Sequence, residues 1–174
     1  MFENPEIAVA ELSAADDVEW QALDRRYVAR QQVRGLLNVA VLAVAALVLH
    51  FLRQQLDSDL PIWAGWVVVA AVAAHALLWP LVSVPKKGYV LRDRDLVYRS
   101  GVFWRSVTAV PFNRVQHVET ASTPLDRRFG LASLQLYTAG TSGGDLAIHG
   151  LPGDAAERMR VFVLRKAGDA VEHD

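Results

Sequence analysis

The side chains with the most chemical potential lie in the second half of the chain. His117 and Glu119 stand two residues apart in Arg114–Thr120, a stretch that reads as a strand, so both point to one face. With His149 they would offer nitrogen and oxygen ligands to a metal ion. No further ligand follows at a recognisable spacing, so no metal is expected. Ser, His and Asp all occur, yet no Gly-x-Ser-x-Gly elbow presents a nucleophile. Gly143-Gly144 has no lysine after it to hold a phosphate and reads as a turn. The 174 residues include no Cys, which removes thiolate catalysis, disulfides and Cys-ligated zinc. No catalytic residues, no metal and no cofactor are expected, and the chain does not read as an enzyme.

Binding is the chemistry that remains. Lys86, Lys87, Arg114, Arg127 and Arg128 are candidates for contact with anionic lipid headgroups or with a partner protein. Each base near an anionic leaflet contributes about 1 kcal/mol. Arg114 has a competing structural role, shared with Gln116: hydrogen bonds to the backbone of the Pro124–Gly130 loop. Pro124, Phe129 and Gly130 shape that loop, Gly130 in a conformation other residues resist. Asn38, His50 and His75 are the polar interruptions of two apolar runs. An intramembrane ionisable group is a candidate proton carrier. No Asp, Glu or Arg in the runs completes a relay, so His75 is expected to pack. The net charge of -1 gives no global attraction to nucleic acid.

Two apolar runs must position these residues. Gly35–Leu52 and Leu60–Val84 contain no Lys, Arg, Asp or Glu. A helix over the first is roughly 27 Å long at about 1.5 Å per residue, close to the ~30 Å of a bilayer core. The second is longer and spans with tilt. Together they predict a transmembrane helical hairpin over residues 35–84, with spans at 35–52 and 60–84. The first run begins behind an acidic stretch and is long for a signal segment, so it is expected to remain in the mature protein.

Local charge orients the hairpin. Residues 1–19 hold Glu3, Glu6, Glu11, Asp16, Asp17 and Glu19 and no base, whereas Arg25, Arg26, Arg30 and Arg34 precede the first run. Lys86, Lys87, Arg92 and Arg94 follow the second, and the Arg53–Asp59 connection is slightly acidic. Bases at both outer ends place both termini in the cytoplasm. Trp63 and Trp66 near one end of the second run and Trp79 near the other suit the two membrane interfaces. Residues 1–34 read as an acidic tail and a juxtamembrane helix: Ser13 and Asp16 resemble a capping box, and Trp20, Leu23 and Tyr27 recur at helical spacing. Small residues on both runs (Gly65, Ala70, Ala71, Ala73 and Ala74 on the second; Ala40, Ala43, Ala45 and Ala46 on the first) allow close helix packing within the hairpin or against another subunit. Pro80 is expected to kink the second helix and Pro85 to mark its exit.

From Lys86-Lys87-Gly88 the pattern changes to short strands. Tyr89–Arg92 and Leu96–Arg99 read as a hairpin about Asp93-Arg94-Asp95, and Val102–Val110 as the next strand. In Arg114–Thr120, Val115 and Val118 do not share parity, which predicts a bulge. Ser133–Thr138 alternates, and Thr141–Gly144 links it to a return strand, Asp145–His149. A helix starts after Pro152-Gly153, buries Met159, Phe162 and Val163, and stops at Gly168. This sheet must curl into a small sandwich or barrel, with the helix covering an open edge or end. The boundaries are 85–167 for a cytoplasmic domain and 168–174 for a disordered tail.

These residues resemble a family of small bacterial membrane proteins, often called YdbS-like, with a pleckstrin-homology-like domain behind two transmembrane helices. The resemblance covers roughly Arg34 to Leu164. It rests on Val110–Val118, on Thr123–Leu134, on Thr138-Ala139-Gly140 and on Ile148–Leu151, in that order behind the hairpin. It implies an α+β membrane protein: a two-helix transmembrane hairpin, then a β-sandwich of two bent antiparallel sheets capped by a C-terminal helix. It implies a multi-pass protein of the bacterial inner membrane. It also implies a complex with related membrane proteins bearing such domains, or a homo-oligomer. It supplies no catalytic residue. The function expected is a protein-interaction or scaffold module in a membrane complex, with binding or handling of anionic lipid headgroups as the alternative.

Overall fold

A computed structural model describes residues 19–56, 62–138 and 145–171. Strand β1 (Gln21–Ala22) leads into helix α1 (Arg26–Leu56), which returns through α2 (Ile62–Ser83). The strands β2 (Gly88–Leu91), β3 (Asp95–Ser100), β4 (Ser106–Pro111) and β5 (Val115–Ala121) follow. A short helix α3 (Pro124–Arg128), strands β6 (Leu131–Thr138) and β7 (Leu146–Pro152) and helix α4 (Gly153–Val171) complete the described residues.

The strands form two antiparallel sheets, one in the order β1-β2-β3-β4 and the other β5-β6-β7. Alternation decides which side chains turn inward. Leu96 and Val110, paired across β3 and β4, meet Leu134, Leu136 and Ile148 of the second sheet in one core. Helix α4 closes that core with Ala156, Met159 and Val163, and its Phe162 meets Phe112 edge-on at 6.1 Å. This is the two-sheet, helix-capped architecture that the resemblance implied. The bulge falls between Val115 and His117, where the parity of the valines required it.

Four expectations need correction. Trp20, Leu23 and Tyr27 do not share a helix: Gln21 and Ala22 pair with Tyr89 and Gly88, and α1 starts only at Arg26. Leu23 and Tyr27 belong to the buried core, so the β-domain does not begin at residue 85 but recruits the chain ahead of the first apolar run. The strand expected over Val102–Val110 is shorter, because Gly101, at φ +109°, opens a loop that lasts to Arg105. A Cβ on Gly101 would overlap the Trp104 carbonyl, so the chain turns there only with glycine. Finally, Gly168 neither stops α4 nor begins a disordered tail, since the helix runs to Val171. Gly168 has open space around it, so only its intrinsic cost of about 1 kcal/mol opposes the helix. The Ser13–Asp16 capping box, the turn at Asp57–Asp59 and the Thr141–Gly144 loop lie outside the described residues.

Helix α1 is one uninterrupted element from the β-domain into the hairpin. Arg26–Leu52 of α1, and Trp63–Lys86 from α2 through the turn after it, have the length and mean hydropathy (2.4 and 2.2) to cross a membrane. The two helices approach closely where Gly35 faces Ala76; a Cβ on Gly35 would lie 2.6 Å from that of Ala76. Gln32 donates from Nε2 to the Leu77 carbonyl at 2.9 Å across the same crossing.

Candidate functional site

The junction between hairpin and β-domain gathers most of the unusual chemistry. Three successive features tie α1 into the domain. The Asp24 amide donates to the Gly150 carbonyl at 3.0 Å. Tyr27 then packs its ring on Gly150, which has a φ of +80° and no room for a Cβ against that ring. One turn on, the buried Arg30 guanidinium grips Asp126 of α3 in a two-pronged pair, Nε to Oδ1 at 2.7 Å and Nη2 to Oδ2 at 3.2 Å. Asp126 also caps its own helix. It accepts from the Thr123 amide at 3.0 Å, and its amide donates to Thr123 Oγ1 at 3.1 Å.

That carboxylate is well supported. Burial alone would raise its pKa, but the hydrogen bonds from Thr123 and Arg30 outweigh burial and hold it below the ordinary carboxylate value. The loop expected to depend on Arg114 and Gln116 is therefore held differently. Both side chains are exposed, and among the described residues neither bonds to Pro124–Gly130. Arg30 and Thr123 hold it, Phe129 packs against the core, and Gly130 takes φ +68°. Pro124 opens α3 at its first turn, where a missing N–H costs nothing.

Two cavities flank the junction and share Arg34. The inner one, about 240 Å³, lies over the outer face of β6 and β7, with Arg30, Asp126, Ser133, Gln135 and His149 on its wall. Desolvation there, and then the Lys87 and Arg30 cations, push the His149 imidazole below its ordinary pKa. The larger cavity, about 410 Å³, opens between α1 and α2 at their domain ends. Gln31, Arg34 and Asn38 come to it from one face of α1, and His75, Trp79 and Ser83 from one face of α2. Lys87 closes it from the domain side, and burial pushes its ammonium pKa down.

The structure thus sorts the expected site residues. Asn38, His75 and Lys87 meet on one cleft, whereas His50 lies near the far end of α1, edge-on to Phe51 at 6.0 Å. Lys86 is exposed and off the cleft wall. Arg127 donates to the Ser122 carbonyl at 3.0 Å, Arg128 is exposed on α3, and Arg114 lies in the turn beneath α4. The basic residues do not form one patch. His117 and Glu119 pair with each other at 3.0 Å, and among the described residues no group of three or more His, Asp or Glu converges.

Two features went unnoticed in the sequence. From the sequence Arg34 reads as one of several arginines that act as a topology signal or lie among lipid headgroups, with nothing to mark it for a cleft. Phe103 and Trp104, which read as strand residues, stand 75% and 88% exposed on the β3–β4 loop. A pair of aromatics followed by Arg105, separated from Gly101 only by Val102, was the available signal. The loop lies beside α2: Phe103 stacks on Trp79 at 6.0 Å, and Trp79 on His75 at 5.5 Å.

Comparison with a family model agrees with this architecture. A family model described as bacterial PH domain matches residues 12–167. The match takes in the residues ahead of α1 that enter the β-domain core. The UPF0699 transmembrane protein YdbS of Bacillus subtilis (strain 168) is 29% identical over 115 residues, 60% of this chain and 69% of that protein. Among solved structures, a DUF1696 family protein with a pleckstrin-homology domain from Shewanella loihica PV-4 is 18% identical. The similarity covers 48% of this chain and 73% of that one, at a TM-score of 0.38.

Proposed function

The chain belongs to the bacterial PH domain family and is a membrane protein, and from that premise we propose that it is a non-enzymatic interaction module of a membrane complex. Its two spans hold the β-domain at the cytoplasmic face of the inner membrane, and the domain docks a related membrane protein. The observation that carries this reading is the edge of the first sheet. Among the described residues β4 pairs only with β3, and its run Ser106-Val107-Thr108-Ala109 is exposed, uncharged and free of proline. Proteins ordinarily blunt such an edge with charge, proline or a covering element. An extended strand added there would gain main-chain hydrogen bonds along its length.

β4 starts at the Phe103–Trp104 loop, beside α2. A strand supplied by another membrane-anchored chain would meet it at the high effective concentration that a shared membrane gives. Photo-crosslinking from Thr108 in native membranes tests this. Capture of a membrane protein with the same kind of domain, or of a second copy, is the expected result. No crosslink from Thr108, with a strictly monomeric mass after mild extraction, would contradict it.

A second reading, recognition of anionic lipid headgroups, is favoured by a separate observation. The exposed Phe103 and Trp104 continue the aromatic stack of His75 and Trp79 out of α2, with Arg105 next to them. Aromatic side chains with basic neighbours are enriched at membrane–water interfaces. Selective retention of phosphatidylglycerol over phosphatidylcholine by the purified protein is its expected signature.

A further inference from the structure

We infer that the cleft between α1 and α2 at their domain ends holds the phosphate group of one anionic glycerophospholipid. This rests on the headgroup reading above and gives it an address. The cleft measures about 410 Å³, within the roughly 300–1,000 Å³ of small-molecule sites. Its polar lining is one-sided in charge. Arg34 and Lys87 contribute two cations, Asn38 adds an amide donor, Gln31 donates instead to the Tyr27 hydroxyl, and no Asp or Glu lies among the lining residues. Among the described residues Arg34 and Lys87 form no ion pair with any carboxylate. Lys87 is half-buried without a counter-charge, an arrangement that an anion in the cleft would relieve.

His75 and Ser83 add two further polar groups from α2, and the rest of the wall is apolar. Gly35 and Ala76, Trp79 and Pro80, and Val102 from the loop leave a surface suited to a glycerol ester and the first acyl carbons. Depth comes from an independent feature. The rings of His75, Trp79, Phe103 and Trp104 follow one another at 5.5, 6.0 and 6.3 Å, from the cleft wall to the exposed tip of the β3–β4 loop. Such a belt sits at the headgroup level. The two cations therefore lie where lipid phosphates lie, and a lipid would reach them sideways between the helices. A guanidinium and an ammonium on one phosphate give charge-assisted bonds of about twice the usual strength.

The test uses the full chain in nanodiscs of equal phosphatidylcholine and phosphatidylglycerol, followed by native mass spectrometry of retained lipid. One retained phosphatidylglycerol per chain is expected. The pair Arg34→Gln with Lys87→Gln is expected to lower its retention at least tenfold. Arg114→Gln with Arg128→Gln, which removes the same charge from exposed positions off the cleft, should leave retention unchanged. Asn38→Leu, a neutral change at an exposed position, should lower it several-fold and does not depend on how the charge variant folds. Equal retention in the Arg34/Lys87 pair and in Asn38→Leu would overturn the assignment while leaving a general lipid preference intact. No preference for phosphatidylglycerol in the unaltered protein would remove the headgroup reading and this site with it. Loss of equal size in the Arg114/Arg128 pair would mean diffuse attraction and would also overturn it. Displacement of the lipid by millimolar soluble glycerol phosphate would identify a free-phosphate site and overturn the lipid assignment.

Discussion

The β-domain and the outer hairpin use the same apolar residue types toward opposite ends. Leu134, Leu136 and Ile148 are fully buried between two sheets and a helix. Leu37 and Leu78, in α1 and α2, are 58% and 61% exposed. None of the most apolar stretch of α1, and little of that of α2, is covered by protein. In water such a surface would be a large patch that needs a cover. In hydrocarbon it needs none, because lipid tails are as apolar as leucine. Burial is thus supplied by the fold in one region and by the solvent in the other. The residues where the two regions meet must satisfy both, and there the charged and aromatic side chains collect.

Removing the join should have the largest effect. Arg30→Ala leaves the half-buried Asp126 without its cation and is expected to cost about 3–5 kcal/mol, read as a large drop in thermal midpoint of the detergent-solubilised protein. If the hairpin and the domain were independent, the same change would cost no more than a surface ion pair, about 0–1 kcal/mol. Next comes the contrast itself. Leu136→Ala should cost about 2–5 kcal/mol, as in other close-packed cores. Leu78→Ala, with hydrocarbon around it, should stay within about 0.5 kcal/mol. Equal losses at the two positions would mean that the helices are covered by protein. Smaller again, Gly150→Ala should cost about 1–3 kcal/mol, from a positive φ and from contact with the Tyr27 ring.

The pH dependence sharpens the same boundary. The folded pKa of Asp126 lies below its ordinary value of 3.8, so its contribution is complete above that value and is lost as pH falls through the lower folded pKa. Unfolding followed from pH 5 to pH 2 should therefore show a loss of stability below about pH 4. That loss should be shallower in Asp126→Asn. An equally steep loss in the variant would assign it to other carboxylates.

Much of this was legible in the residues. Runs without charge, bracketed by arginines and lysines, determine the two helices, since nothing else hides that much apolar surface. Alternation at Ser133–Thr138 and the parity break at Val115/Val118 placed the strands and the bulge, because a side-chain period of two leaves little freedom. The segment before α1 was not legible. Leu23 and Tyr27 have helical spacing, but one follows β1 and the other opens α1. What decides their place is pairing with β2, far along the sequence. The C-terminal end of α4 misled for a local reason: Gly168 meets no steric obstacle, so a glycine alone did not end the helix.

The candidate site was legible only in pieces. Asn38, His75 and Lys87 stood out one at a time as polar or basic residues next to apolar sequence. Only the antiparallel return of α2 sets them across one cleft from Arg34. Arg114, Arg127 and Arg128 looked equivalent to Lys87 as charges, yet the fold carries them to the α3 and α4 sides of the domain. Phe103 and Trp104 read as strand residues until Gly101 turned the chain beside α2.

The proposed function depends most on a hairpin that crosses the bilayer with the β-domain held on the inner side. The sequence has no Cys, so single cysteines can be introduced without background. Labelling of Ser58→Cys, between the helices, and of Ser106→Cys, on β4, with a membrane-impermeant maleimide in intact cells is the most direct measurement. Ser58→Cys should label at once from outside, and Ser106→Cys only after the membrane is permeabilised. Labelling of Ser106→Cys in sealed cells, or of neither or both positions alike, would contradict the account.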